Sequence, residues 1–259
     1  MRDFNFNSAI QQDAGIASRI QVNLQPLMRL VYLWMGLGLL VTAGVSAAIT
    51  AAVINNPQLI VTFMNSWMIL MIVQLGIVFG LSFAINRISP NIALILFFIY
   101  AGTMGVTLGA MFFGIIVGDI SPTGQITYDP DGIWAIASAF ATTAGLFGVM
   151  TVIGYTTKID LSKFGSYLMM ALIGLIIASI VNIFLNSGFM GFVISAAGVL
   201  IFTGLTAYDT QKIKRLAASP EMQQHSDSMV RLSIMGALTL YLDFINLFLF
   251  LLRLFAGRD

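Results

Sequence analysis

The apolar positions of this chain fall in seven long continuous runs, over residues 30–54, 67–85, 92–113, 133–153, 167–185, 192–212 and 236–255. Each has about the 20 residues that a helix needs to cross hydrocarbon. None shows the period-two alternation of a membrane barrel strand. The pattern predicts an all-α polytopic membrane protein, a seven-transmembrane-helix bundle over residues 29–259, preceded by a polar cytoplasmic tail over residues 1–28. The first run is longer than the core of a cleavable signal and no small-residue cleavage site follows it, so no signal peptide is expected.

Composition agrees. Of 259 residues, 58% are hydrophobic and only 9% charged, with a mean hydropathy of +0.93, whereas soluble domains carry about a quarter charged residues. The chain has no cysteine and one histidine, His225, in a polar stretch. Disulfides and thiolate metal sites are thereby excluded, and no zinc site or tightly bound cofactor is expected. With a net charge of +1 and no basic stripe, nothing points to nucleic acid. The partner that composition implies is the lipid bilayer.

The connections alternate in charge. Arg2, Arg19 and Arg29 precede the first run, Arg87 follows the second, Lys158 and Lys163 follow the fourth, and Lys212, Lys214, Arg215 and Arg231 surround the sixth connection. Of the 12 basic residues only Arg253 and Arg258 fall on the other side. The positive-inside rule then predicts a cytoplasmic N-terminus and an outer C-terminus. The outward connection carrying Asp119, Asp129 and Asp131 lacks the ligand spacing of a calcium loop and reads as a solvated acidic loop closed by turn chemistry at YDPDG, with concentration of cations at the outer mouth as the alternative. Small residues four apart, in Gly44 and Ala48, Gly105 and Gly109, and Gly114 and Gly118, predict close helix approach.

Two acids interrupt the last two runs. Asp243 is the only charged residue between Arg231 and Arg253, and Asp209 lies in GLTAYDTQKIK, one turn before Lys212. A carboxylate at mid-bilayer costs at least about 2.5 kcal/mol, so such acids are candidate functional groups. If the last helix enters lipid at Leu232, Asp243 lies roughly 16 Å deep and Asp209 only a few ångströms. If instead that helix projects into the cytoplasm and enters near Gly236, both lie about 10 Å deep, provided Lys212 and Lys214 snorkel. Side by side, the two are expected to hold one proton between them, because like charges in a low dielectric do not both ionise cheaply. The alternative leaves Asp209 as an interfacial helix-end residue. A 100° step places Asp243, Asn246, Phe250 and Arg253 within an arc of about 80°, a polar strip facing inward. Arg253 either snorkels to the outer headgroups or pairs with an acid inside the bundle. Gln74 is a candidate hydrogen-bonding partner between helices.

These segments, GLTAYDTQKIK (204–214), GALTLYLDFINLFLFLLRLF (236–255) and GYTTKIDLSKFG (154–165), resemble those of the Bax inhibitor family, and the chain looks like a bacterial member. The resemblance implies a central seventh helix wrapped by the other six, and a pH-sensitive calcium leak in the cell inner membrane. It maps a di-aspartyl pH sensor onto Asp209 and Asp243, which would also be the weak, transient Ca²⁺ ligands. It places Arg253 at a position that pairs with an acid in the second span, where this chain has Gln74, and Arg87 at a position that latches an aspartate. It also brings in a membrane-bound ATP-dependent protease as a partner.

Two functions of different class follow. One is a proton-gated Ca²⁺ pathway, with H⁺ and Ca²⁺ as ligands; two carboxylates supply at most four of the six to eight oxygens that Ca²⁺ takes, so binding is weak. The other is an interaction protein that regulates such a protease, with the N-terminal tail as its handle. An intramembrane aspartyl protease fails on its second half, because LYLDF surrounds Asp243 in place of GxGD. No enzyme is expected.

Overall fold

The computed structural model describes residues 25–56, 58–85, 87–120, 126–219 and 226–257. The N-terminal tail, His225 and Arg258 lie outside these residues. Seven long helices follow in order: α1 (Gln25–Asn55), α2 (Gln58–Ala84), α3 (Pro90–Ile116), α4 (Pro130–Thr156), α5 (Ser162–Leu185), α6 (Gly188–Ala218) and α7 (Ser226–Ala256). All seven are long and apolar enough to cross a membrane.

Their ends follow local chemistry. Ser89 caps α3 and Asp129 caps α4, each followed by a proline at the first helical turn, where the missing N–H costs nothing. Ser187 Oγ accepts from Met190 N to start α6. Asn186, at φ 45°, closes α5 in the left-handed region, which asparagine tolerates better than most residues. The helices outrun the apolar runs at several ends. α1 starts four residues before position 29, α2 starts well before Trp67, α5 starts five residues before Tyr167, α6 ends six residues after Lys212, and α7 starts ten residues before Gly236. Polar residues continue α6 and α7 beyond their apolar stretches, which hydropathy alone does not register, whereas the added turns of α2, QLIVTFMNS, are mostly apolar.

The acidic connection between α3 and α4 differs from the expected loop. It folds into an antiparallel hairpin of β1 (Val117–Ile120) and β2 (Ile126–Tyr128), pairing Val117 with Tyr128 and Ile120 with Ile126. Asp129 is drawn into helix capping, its Oδ1 accepting from Asp131 N at 3.0 Å.

α7 is the core. Of its membrane-crossing stretch 67% is buried, against at most 39% for any other helix. It packs directly on α6, α4, α1 and α3, while α2 lies outside on α3 and α5 lies outside on α6. The seventh helix is therefore central as expected, but four helices form its wall and two form an outer layer. At its midpoint Tyr241 is fully buried, edge-on to Phe97 and Tyr100 with ring centroids 5.6 and 5.8 Å away. Its hydroxyl lies 2.7 Å from Thr42 Oγ1, which donates to the Ala101 carbonyl at 2.9 Å. One polar chain thus joins α7, α1 and α3.

Of the small-residue pairs, one meets a partner helix throughout. A Cβ on Gly105 or Gly109 would lie 2.7 Å from α1 backbone oxygens, those of Thr42 and Ser46. Gly44 and Gly114 have nothing within 4 Å of that position, and Gly118 belongs to the hairpin. Spacing alone does not say which face of a helix meets a neighbour. Gly109→Ala is therefore expected to destabilise the protein by about 1–3 kcal/mol through overpacking. Gly44→Ala should be neutral or stabilising by up to about 1 kcal/mol. Thermal unfolding of both variants in detergent checks the contrast.

Candidate functional site

α6 and α7 are consecutive and pack closely. At Gly198 the ring of Phe250 comes so near that a Cβ would lie 2.6 Å from it. This contact fixes the two helices in register. α7 begins at Ser226, ten residues before Gly236, and Asp209 and Asp243 line one cleft, of about 550 Å³, between α5, α6 and α7. Asp209 is 9% exposed and Asp243 4%.

Neither carboxylate is neutralised by a neighbour. Asp243 Oδ2 is buried without a hydrogen-bond partner, and no ion pair reaches either acid among the described residues. Lys212, whose charge acts on Asp209, is exposed with its Nζ 5.8 Å from the centre of the Tyr208 ring. The charge of Asp209 acts on Asp243, yet no hydrogen bond joins the two carboxylates. The direct bridge expected of a shared proton is thus replaced by two acids facing one cleft. A buried polar group without a partner costs about 1–3 kcal/mol, which marks the floor of the cleft as a place built for a proton, water or a cation. Among the described residues no three His, Cys, Asp or Glu side chains cluster as a metal site.

The polar strip on α7 continues from this cleft. Asn246 and Phe250 line both it and a second cleft of about 420 Å³ that includes Arg253. Arg253 in turn lines a pocket of about 200 Å³ with Asn182, Asn186, Ser187 and Ser195. Three cavities with shared walls therefore follow α7 from Asp209 toward its C-terminus. Arg253 is exposed and makes no ion pair among the described residues. Gln74 is elsewhere: its Nε2 donates to Thr107 Oγ1 at 2.9 Å, joining α2 to α3. The structure does not bring Gln74 to Arg253. Nor does it latch Arg87, which is exposed in the turn after α2, to either aspartate.

The sequence reading missed how the α4–α5 connection holds α6 around Asp209. Gly154 meets the Ala207 carbonyl and Gly165 meets the Tyr208 ring, each so closely that a Cβ would collide. Gln211 Oε1 accepts from Leu161 N at 2.9 Å and its Nε2 donates to the Ile159 carbonyl at 2.8 Å. Lys214 Nζ donates to the Tyr155 carbonyl at 2.7 Å. Arg215 pairs with Asp160 at 2.6 Å and donates to Ser162 Oγ and Gln211 Oε1. The signal was present in GYTTKIDLSKFG, whose two glycines flank a polar run, but a single sequence does not say what the glycines touch.

The Ser162 backbone N–H and the Arg215 guanidinium hold the exposed Asp160 carboxyl down at about 2. Its folded value lies below the ordinary 3.8, so its contribution to stability is present above about pH 4 and fades as pH falls toward 2. Gln211→Leu leaves two backbone groups of the clasp unpaired, and is expected to destabilise the protein by about 1–3 kcal/mol for each that stays dry. Asp160→Asn is expected to cost far less at pH 7, because its side chain is solvated, and nothing near pH 2. Melting temperatures at the two pH values check both.

The profile of the family described as inhibitor of apoptosis-promoting Bax1 matches residues 24–259. The chain is 44% identical over 254 residues to the inner membrane protein YbhL of Escherichia coli K12, covering 97% of each chain. It is 42% identical to a protein of Borreliella burgdorferi, covering 86% of this chain and 88% of that one. It is 39% identical to one of Deinococcus radiodurans, covering 97% and 99%.

Proposed function

This chain belongs to the Bax inhibitor family, and from that premise we propose that it is a pH-sensitive calcium leak of the bacterial inner membrane, gated by the Asp209 and Asp243 pair. The observation that carries this reading is the placement of both carboxylates, buried, in one cleft, with Asp243 Oδ2 lacking a hydrogen-bond partner among the described residues. The inner membrane follows from the name of the Escherichia coli relative. Orientation follows from charge, with the clasp residues Lys158, Lys163, Lys214 and Arg215 on the cytoplasmic side and the C-terminus outside.

With a proton on the pair, the cleft has one negative charge at most and little attraction for a divalent ion. When that proton leaves, two like charges face each other in a medium of low dielectric. They repel, loosening α6 against α7, and they offer four oxygens to Ca²⁺. Water completes the shell, so the ion is held weakly and released, as conduction requires. The chain of cavities past Asn246 and Arg253 provides the continuation along α7. Arg253 sets a positive charge at its outer end and slows cation entry, which suits a leak rather than a fast channel.

Since deprotonation creates the ligand, Ca²⁺ influx into dye-loaded proteoliposomes is expected to rise as the pH is raised from about 6 to 8 and the pair loses its proton. Asp209→Asn and Asp243→Asn should each flatten that dependence. Folded protein that conducts no Ca²⁺ at any of these pH values contradicts the proposal.

A further inference from the structure

The cleft that holds the two aspartates also has the form of a small-molecule site. Its α5 wall is hydrocarbon, from Met169, Leu172, Ile176 and Ile180. Met169, Ile176 and Ile180 are each about half exposed on the flank of the bundle. The mouth therefore opens sideways between α5 and α7, on the surface that faces lipid, and a molecule dissolved in the bilayer reaches it without crossing the headgroups. Phe202 and Phe250 form a second wall, with ring centroids 5.8 Å apart and planes inclined by 31°. The floor carries Asp209 and Asp243, both more than nine-tenths buried. Its volume of about 550 Å³ lies within the usual range for small ligands, about 300–1,000 Å³.

Three features narrow the ligand class. The hydrocarbon walls give no shell to a strongly hydrated ion filling the whole volume. Two carboxylates without donors repel an anion, and a neutral acyl chain leaves their desolvation without compensation. Aromatic faces attract a cation whose charge is poorly hydrated. Among the described residues no basic side chain pairs with either acid, and Lys212 leans over Tyr208 at the exposed end of α6. We propose that the cleft between α5, α6 and α7 binds lipophilic organic cations, a phosphonium, quaternary ammonium or protonated tertiary amine on an apolar body, entering from the bilayer. The charge sits between Asp209 and Asp243 and the body lies against α5 and the two phenylalanines. This goes beyond the leak reading and does not require that the protein conduct Ca²⁺.

The test is equilibrium binding of radiolabelled tetraphenylphosphonium to the full-length protein in nanodiscs, with empty nanodiscs subtracted. Saturable binding at one site per chain is expected. It should weaken by about thirtyfold or more in Asp243→Asn, as when one partner of a desolvated charge pair is lost. It should vanish in Ser179→Trp, which fills the cleft from α5 and leaves both carboxylates in place, and it should not be displaced by neutral tetraphenylmethane. Melting curves distinguish a lost site from a lost fold, and either variant alone suffices. The proposal is overturned if folded protein shows no saturable binding, if both folded variants bind as the native chain does, or if the neutral analogue competes equally. Cation binding without Ca²⁺ flux would overturn the leak reading and leave this site standing; flux without cation binding would do the reverse.

Discussion

An acid inside hydrocarbon must face something other than lipid, and the arrangement of this bundle follows from where Asp243 points. The helix that carries it is the most buried of the seven, held at its centre by Tyr241 against Thr42, Phe97 and Tyr100. Toward α5 the wall is incomplete, because α5 rests on α6 rather than on α7. The cleft left there is where both carboxylates lie. Closing it with a well-packed helix would bury two acids without partners. Opening it to lipid alone would expose them to hydrocarbon. The groove between α5, α6 and α7 avoids both extremes.

The clasp made by the α4–α5 connection serves the same arrangement from the end of α6. Asp209 is near the end of α6, where a helix terminus would otherwise fray. Its sequence neighbours Ala207 and Tyr208 are seated against Gly154 and Gly165, and Gln211, Lys214 and Arg215 tie the next turn to the α4–α5 connection. The carboxylate is thus presented by a stretch of helix held at both ends.

Much of this was legible in the sequence because bilayer thickness writes itself into run length. Seven apolar runs gave seven helices, and two acids in the last two runs gave the two residues of the cleft. Helix period placed Asn246, Phe250 and Arg253 on the face where the cavities follow one another. Other features were hidden for physical reasons. Strand pairing at 117–128 depends on two segments meeting across a turn, and each is too short to show a period. Gly105 and Gly44 look alike in a sequence, yet Gly105 meets a neighbouring helix and Gly44 has nothing within 4 Å of its Cβ position. The pairing of Gln74 with Thr107 rather than with Arg253 depends on α2 lying outside α3, which no helix-by-helix reading contains. The family resemblance supplied the centrality of α7 but not the division of the other six into a wall of four and an outer pair.

If the two carboxylates share one cleft, each must sense the charge of the other. Infrared difference spectroscopy of the protonated carboxyl band, followed with pH in the native protein and in Asp209→Asn, reads this directly, because the Asp243 signal is identified by its loss in Asp243→Asn. A cleft in which both acids interact predicts that removing the Asp209 charge changes the titration of Asp243. A titration of Asp243 that is the same with and without Asp209 would mean that the two acids act separately, and the di-aspartyl gate would have no physical basis.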